Sequence, residues 1–254
     1  MLKRRSCATL VALLFMLPCA LAAELKLLSA GAVEPGLRAA VARYERDSGD
    51  RVTIAFATAP VLRERAGSSS AAAAAGFDLL VAPVAVFDAI APAGTVRAER
   101  STLGSVGIGV AVRPDAPRPD LASAESLKAA LLAAESVVFN RASTGQYVAQ
   151  LLQRLSISDA MASKTTQVAD GAAVVKHLMQ GRGREFGFAP VTEILLHKDQ
   201  GLVYVGALPA ELQNRTTYQA SVAAQPSDEA AALRLWRYLA SADALAAYKA
   251  AGID

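Results

Sequence analysis

The chain has 254 residues, of which 53% are hydrophobic, with 26 basic and 23 acidic side chains. Three basic residues and no acidic ones fall within the first 22 positions, so the rest of the chain carries 23 charges of each sign. This balance argues against a nucleic-acid-binding protein, which would need a basic face. Both cysteines fall in those first positions and the chain has two histidines, so we expect no disulfide in the remainder and no zinc or iron site.

The start of the chain has the pattern of a secretory signal peptide. A basic segment at 3–5 precedes an apolar run at 10–17, and Ala-Leu-Ala at 20–22 matches a cleavage site. The apolar run is too short to span a bilayer, which favours a signal peptide over a membrane anchor. A lipoprotein is a weaker alternative because Pro18 stands where a small residue should precede Cys19. We therefore expect export to the periplasm, with enough chain left for one large domain or two lobes.

Strands and helices alternate from residue 25 onward, as judged from apolar runs and from apolar residues at helical spacing. The first series has predicted strands at 25–28, 51–59 and 77–83, and predicted helices at 34–48, 60–66 and 85–94. The low-complexity stretch at 67–76 is either a loop or a helix end followed by a loop.

A second series of the same kind begins near residue 105. Its predicted strands are at 105–114, 136–140, 164–170, 184–190, 201–209 and 216–224. Its predicted helices are at 124–134, from 143 onward, at 172–180, and twice after 227. Strands that are almost entirely apolar and alternate with helices predict a parallel α/β architecture.

Three strand-to-helix loops consist of small or hydroxyl-bearing residues, at 29–33, 57–60 and 142–145. Open α/β sheets bind ligands at the carboxyl ends of their strands. Unpaired N–H groups and the positive end of a helix dipole at such a loop favour an anion. Ser143 alone could be an ordinary N-cap, but three such loops in one exported chain predict a site for a small anionic ligand.

Charged side chains near these loops are few. Arg141 adjoins the third loop, and its guanidinium is suited to a carboxylate or another oxyanion, the alternative being a solvated loop residue. The three loops contain no His, Asp or Lys that could act as a general base, which favours binding over catalysis. Glu193 is interpreted as an exposed or hinge-pairing residue rather than as a base.

The ordered set of segments resembles the periplasmic molybdate-binding proteins of ABC importers, which are type II periplasmic binding proteins. The likeness is carried by the segments 28–52, 56–66, 77–83, 143–157, 187–195 and 231–253. It implies an α/β fold of two Rossmann-like lobes joined by two crossover segments. The implied division is a signal peptide at 1–22, lobe 1 at 23–104 and 218–254, and lobe 2 at 105–217.

The resemblance also implies what such a protein does. It would be a monomer without cofactor or metal that captures a small anion in the interlobe cleft and passes it to an ABC permease in the inner membrane. Lobe closure on the ligand would be its mechanism, without chemistry.

Several residues of this chain differ from the donors of that family. The family's two oxyanion-binding serines fall on Ala32 and Ala59, its two backbone donors on Thr144 and Ala172, and its tyrosine on Pro190. Two serine hydroxyls and a phenol are therefore absent, and each lost donor costs about 1–3 kcal/mol. This argues against molybdate and leaves the ligand open between an oxyanion and an organic carboxylate.

A sister group that includes the periplasmic aconitate isomerases is similar at 104–123 and 185–195, where its paired glutamines fall on Ala189 and Pro190. An isomerase of a small polycarboxylate is therefore the alternative function. The predicted ligand-binding residues are Gly31, Ala32, Thr58, Ala59, Arg141, Ser143, Thr144, Gly145, Ala172 and Pro190.

Overall fold

The computed structural model of the chain describes residues 22–68 and 76–254. The predicted signal peptide, apart from its last residue, and most of the low-complexity stretch lie outside the described residues. Among the residues described, no helix combines the length and the apolar character that crossing a bilayer requires.

The described residues form nine strands and ten α-helices. The strands are β1 (Glu24–Ala30), β2 (Arg51–Ala57), β3 (Leu79–Pro83), β4 (Ser101–Val112), β5 (Ser136–Asn140), β6 (Thr165–Val168), β7 (Glu185–Pro190), β8 (Val203–Ala207) and β9 (Arg215–Val222). The helices are α1 (Glu34–Ser48), α2 (Ala59–Gly67), α3 (Val84–Ile90), α4 (Ala124–Ala133), α5 (Ser143–Arg154), α6 (Ser158–Ala162), α7 (Gly171–Gln180), α8 (Val191–Leu196), α9 (Glu229–Leu239) and α10 (Ala242–Ala250). The predicted elements are all present, with ends shifted by a few residues.

Local sequence explains why α1 begins and ends where it does. Pro35 lies in its first turn, where its fixed φ is favourable and no N–H is needed. Leu37, Val41 and Tyr44 are buried on one face, as the helical spacing predicted. Gly49 ends the helix in the left-handed conformation that glycine adopts without strain.

The strands form one sheet in the order β2-β1-β3-β9-β4-β7-β5-β6, with β8 also paired to β4. β1 pairs in parallel with β2 and β3, and β5 pairs in parallel with β6 and β7. The prediction of parallel pairing is wrong for β4, β8 and β9, whose described pairings are all antiparallel. A buried apolar strand looks the same in sequence whichever way its neighbours run, so its direction is fixed by partners distant in the chain.

β4 and β9 connect the two parallel parts of the sheet. The first half of β4 pairs with β9, whereas its second half pairs with β7 and β8. The pairing shifts at Gly104, which has a φ of 144° and lies against the C-terminal residue, so that a Cβ there would lie 2.9 Å from the carbonyl oxygen of Asp254. Separate hydrophobic cores lie on either side of this connection, one built from 25–106 and 218–253 and the others from 108–212.

Two short helices, α6 and α8, were not predicted from the sequence. α8 has six residues, too few for the helical spacing to be recognised. Ile194 is buried, and the Thr192 hydroxyl donates a hydrogen bond to the carbonyl oxygen of Ala32 at 2.6 Å. α8 is thereby fixed between the two halves of the sheet, next to the end of β1.

Candidate functional site

A cleft of about 160 Å³ lies at the carboxyl ends of parallel strands from both halves of the sheet. This volume is below the roughly 300–1,000 Å³ of drug-sized pockets, so it suits a small molecule. Its first wall, as we call it, comprises the lining residues between 30 and 34 and between 56 and 59. Its second wall comprises the lining residues between 140 and 144, those at 170–172, Pro190 and Glu193. Pro83 and Tyr218 also line the cleft.

The three loops singled out in the sequence all reach this cleft, together with a fourth that follows β6. Eight of the ten predicted ligand-binding residues line it, namely Gly31, Ala32, Thr58, Ala59, Ser143, Thr144, Ala172 and Pro190. The beginnings of α2, α5 and α7, and the turn between β1 and α1, therefore face one another across a small space.

At two of these helix beginnings the N-cap residue does not cap the helix with its own side chain. Thr58 and Ala142 hold the N-cap positions of α2 and α5 in extended conformation, and neither side chain bonds to the first turn. The alternative that Ser143 is merely an N-cap is therefore wrong, because Ser143 is the first helical residue. The first N–H groups of a helix have no intrahelical partner, so α2 and α5 present donors and a positive dipole end to the cleft.

Asn140, at the end of β5, holds the loop before α5 in shape. Its Oδ1 accepts hydrogen bonds from the backbone N–H groups of Ala142 and Gly145, both at 3.0 Å. A Cβ on Gly145 would overlap the carbonyl oxygen of Asn140. Gly145 thus supports the loop instead of lining the cleft, contrary to its predicted position. Asn140 is a lining residue that the sequence reasoning did not select, although an asparagine ahead of a helix is a recognisable turn signal.

Arg141 does not line the cleft, in contrast to its predicted position. It is exposed, its backbone N–H donates to the carbonyl oxygen of Val168 at 2.9 Å, and its side chain borders a separate depression beside Gln153 and Gln167. The backbone bond extends the β5–β6 pairing by one residue. Because side chains alternate in direction along extended chain, Asn140 turns toward the cleft and Arg141 turns away.

The charged residues that line the cleft, within the part of the chain described, are three acids: Glu34, Asp170 and Glu193. Glu34 forms an ion pair with the Nε of Arg38 at 2.7 Å, and the Arg38 guanidinium stacks on Phe56 at 4.8 Å from the ring centroid. Asp170 caps α7, its Oδ1 accepting from the N–H of Ala173 at 2.8 Å. Both of these acids therefore have partners.

Glu193, the third acid, differs from these two because one of its carboxyl oxygens has no partner in the described structure. It projects from α8 against the start of α7, where a Cβ on Gly171 would overlap its carboxyl group. Its Oε2 is buried and has no hydrogen-bond partner in the described structure. Burial, followed by the charges of Asp170 and Glu34, raises the pKa of Glu193 to about 8. Near neutral pH this side chain is therefore mostly protonated and uncharged.

Tyr218 is the neighbour of this acid on β9. It is buried, and burial together with the charge of Glu193 raises the pKa of its phenol. The interpretation of Glu193 as an exposed residue is wrong, because the side chain is half-buried and its Oε2 is enclosed against Gly171. The alternative that it is a hinge-pairing residue stays a prediction. No group of three or more His, Cys, Asp or Glu residues arranged to hold a metal ion occurs in the described ranges.

Known proteins similar to this chain include a family of binding proteins and one enzyme. A family model described as bacterial extracellular solute-binding protein matches residues 25–254. An aconitate isomerase from Pseudomonas sp. is 27% identical over 231 residues, which cover 90% of this chain and 87% of that protein.

Two solved structures show the same fold. The periplasmic molybdate-binding protein of Azotobacter vinelandii has a TM-score of 0.69 at 16% identity, with 91% of this chain and 98% of that chain covered. The sulfate-binding protein SubI from Mycobacterium tuberculosis H37Rv has a TM-score of 0.70 at 13% identity, with 91% and 86% covered. These matches confirm the predicted fold class of two α/β lobes joined by crossover segments.

Proposed function

The chain belongs to the family of bacterial extracellular solute-binding proteins, and we propose that it captures a small anion in the cleft between its lobes. In this proposal the protein is exported to the periplasm, works as a monomer, and hands its ligand to an ABC permease of the inner membrane. It needs neither cofactor nor metal for this task, because capture and release require only binding and lobe movement.

One observation carries the proposal: the beginnings of α2, α5 and α7 and the turn after β1 meet at the same cleft. Backbone N–H groups are strong donors, and those of a helix start add the positive end of its dipole. An anion in the cleft can thus be held without a cation, and none of the described lining residues is basic. The hydroxyls of Thr58, Ser143 and Thr144 are further donors at the same place.

We place the lobe boundaries within the paired strands β4 and β9, next to the shift in pairing at Gly104, with lobe 1 at 23–104 and 218–254 and lobe 2 at 105–217. The first wall of the cleft then belongs to lobe 1 and the second wall to lobe 2. A ligand that contacts both walls favours the closed arrangement. The hydrogen bond from Thr192 to Ala32 joins the two lobes beside the cleft.

Titration calorimetry on the purified protein tests this function. The panel is molybdate, sulfate, phosphate, citrate, cis-aconitate and trans-aconitate, with a neutral sugar and an amine as non-anionic controls. We expect at least one anion to bind and to raise the melting temperature, because a ligand that binds only the folded state stabilises it. Binding of a non-anionic control with no response to any anion would contradict the proposal.

A second candidate function is isomerisation of a small unsaturated polycarboxylate, and Glu193 is the observation that favours it. The relative named aconitate isomerase acts on such a substrate. A Glu193 carboxylate in the cleft could remove a proton from a carbon of the substrate, the C–H electron pair forming a new double bond. The old double bond would then take up the same proton at its far carbon.

The two candidates predict different responses to pH. A general base must be ionised, so an isomerase rate should rise with pH toward about 8. The test is proton NMR of cis- and trans-aconitate incubated in D₂O with the protein and with Glu193→Gln. The isomerase would be established if aconitate is converted, or takes up deuterium, in the presence of the unaltered protein but not in the presence of Glu193→Gln. No exchange, with binding intact, leaves capture as the function.

A further inference from the structure

The buried carboxyl of Glu193 has an oxygen without a partner. Its Oε2 is enclosed against Gly171 and accepts no hydrogen bond in the described part of the chain. Its Oε1 lies on the side of Gly31, 3.7 Å from where a Cβ of that residue would be. If ionised, the group would leave a charged oxygen buried and unsatisfied, which is far more costly than a neutral carbonyl oxygen in the same place.

The charged and titratable groups around Glu193 also disfavour its ionised form. Asp170, at the start of α7, and Glu34, on α1, are both acidic, and Arg38 is engaged with Glu34. Tyr218, on β9, adds a neutral phenol. A bound anion would add negative charge to this surrounding. An ionised Glu193 and an anionic ligand would therefore repel each other in a space of about 160 Å³.

We propose that Glu193 binds the ligand in its protonated form, donating a hydrogen bond to an anionic oxygen, so that in alkaline solution the anion and one proton are taken up together. The proposal rests on the proposed function of anion capture. The proton is placed on Oε1, toward Gly31, and Oε2 remains the neutral carbonyl oxygen next to Gly171. The acid then adds a donor to the second wall of the cleft instead of a repelling charge.

A dependence of affinity on pH follows directly. Backbone N–H groups do not titrate, so an anion held by them alone would bind equally well at all pH values where the protein is folded. With a protonated carboxyl required, affinity is constant below the pKa of Glu193 and falls about tenfold per pH unit above it. For a pKa of about 8, the dissociation constant rises about 30-fold between roughly pH 7 and pH 9.5.

The experiment measures dissociation constants by titration calorimetry across this pH range. The probes are sulfate and trans-aconitate, because neither changes its charge there. Each titration is repeated in two buffers of different ionisation enthalpy, which reports protons taken up on binding. The proteins are the unaltered chain, Glu193→Gln, Glu193→Ala, Asp170→Asn and Tyr218→Phe. Glu193→Gln keeps a donor that does not titrate, and Tyr218→Phe is the matched control for the neighbouring phenol.

We expect the unaltered protein and Tyr218→Phe to lose affinity with rising pH and to take up a proton above about pH 8. Glu193→Gln should bind with flat pH dependence, and Glu193→Ala should bind at least about tenfold more weakly at pH 7. In Asp170→Asn the loss of anion affinity should begin at a lower pH, because the substitution removes a negative charge that favours the protonated form of Glu193.

Failure of the inference and failure of the proposed function can be told apart. Binding by the unaltered protein that is independent of pH and releases or takes up no proton overturns this inference and leaves anion capture standing. Absence of binding of either probe by any of these proteins, together with no response across the larger anion panel, overturns the proposed function and the inference with it. Loss of affinity in Glu193→Gln equal to that in Glu193→Ala would also refute the role of the carboxyl as donor.

Discussion

The two walls of the cleft are built alike in backbone and differently in side chains. Each wall places the beginnings of helices or turns at the ends of parallel strands. The acid of the first wall, Glu34, is paired with Arg38, whereas the Oε2 of Glu193 in the second wall is buried without a partner in the described structure. In the function proposed above, the helix beginnings would give the cleft its preference for anions, and the unpaired acid would make the second wall sensitive to pH.

The first effect concerns stability at a fixed pH and is expected from a methyl group added to the second wall. In Gly171→Ala the new Cβ would overlap the Glu193 carboxyl, and overpacking of this kind costs about 1–3 kcal/mol of unfolding free energy. In Gly31→Ala, on the first wall, the Cβ would lie 3.7 Å from Glu193 Oε1, an ordinary contact. Urea unfolding at pH 6 should show a large loss for the first variant and a change within about 0.5 kcal/mol for the second.

A double variant separates this clash from other causes. Gly171→Ala combined with Glu193→Ala should be almost as stable as Glu193→Ala alone, because the overlapping carboxyl is gone. If Gly171→Ala and Gly31→Ala lose the same free energy of unfolding, the Glu193 carboxyl does not lie closer to Gly171 than to Gly31.

The next effect concerns stability and pH. The pKa of Glu193 is raised from its ordinary value of 4.5 to about 8 in the folded protein, so between these values the folded state holds more protons than the unfolded state. Its contribution to the free energy of unfolding therefore falls as pH rises through this window. Glu193→Gln removes the dependence, and should become more stable relative to the unaltered protein by roughly 3 kcal/mol between about pH 5 and pH 7.5.

Urea unfolding at several pH values, with both proteins measured in the same buffers, checks this prediction. All other titrating groups are shared, so they cancel in the difference between the two proteins. A difference that stays constant across the window would mean that Glu193 has an ordinary pKa and is not enclosed as described.

A smaller effect is expected when one backbone donor is removed from the first wall. Ala59 is the first residue of α2 and follows Thr58 in extended conformation, so proline fits there and removes only an N–H. Ala59→Pro should weaken anion binding at least about tenfold, the value of one hydrogen bond to a charged group. Ala242→Pro, at the first residue of α10 after the extended Ser241, is the control and should leave binding unchanged. Titration calorimetry measures the anion affinity of both variants. If Ala59→Pro binds the anion as tightly as Ala242→Pro does, the N–H of Ala59 is not part of the site.

The smallest effect is expected at Arg141. Its side chain is exposed and borders a different depression, so Arg141→Ala should change anion affinity by less than about twofold. Titration with the same anions measures this directly. A loss of tenfold or more would return Arg141 to the site and would mean that the second wall carries a cation in the bound state.

Much of the site could be read from residues near one another in the chain. Small and hydroxyl-bearing residues between an apolar strand and a helix marked the loops around Gly31, Thr58 and Ser143, and the structure brings all three to one cleft. Asn140 carried a readable turn signal that was not used. The placement of Arg141 outside the cleft has a local cause, because Asn140 before it points into the cleft and side chains alternate in direction along extended chain.

The sequence by itself determined the alternation of strands and helices, because apolar spacing and capping residues act within a few positions. It also determined the chemistry at the strand ends. Only the tertiary structure decided that β4 and β9 run antiparallel to their neighbours, and that Glu193 of the short helix α8 is enclosed between Gly31 and Gly171. The protonation of that acid depends on Asp170 and Glu34, which are far from it in the chain. Burial and charge act through space, so no pattern of neighbouring residues could reveal them.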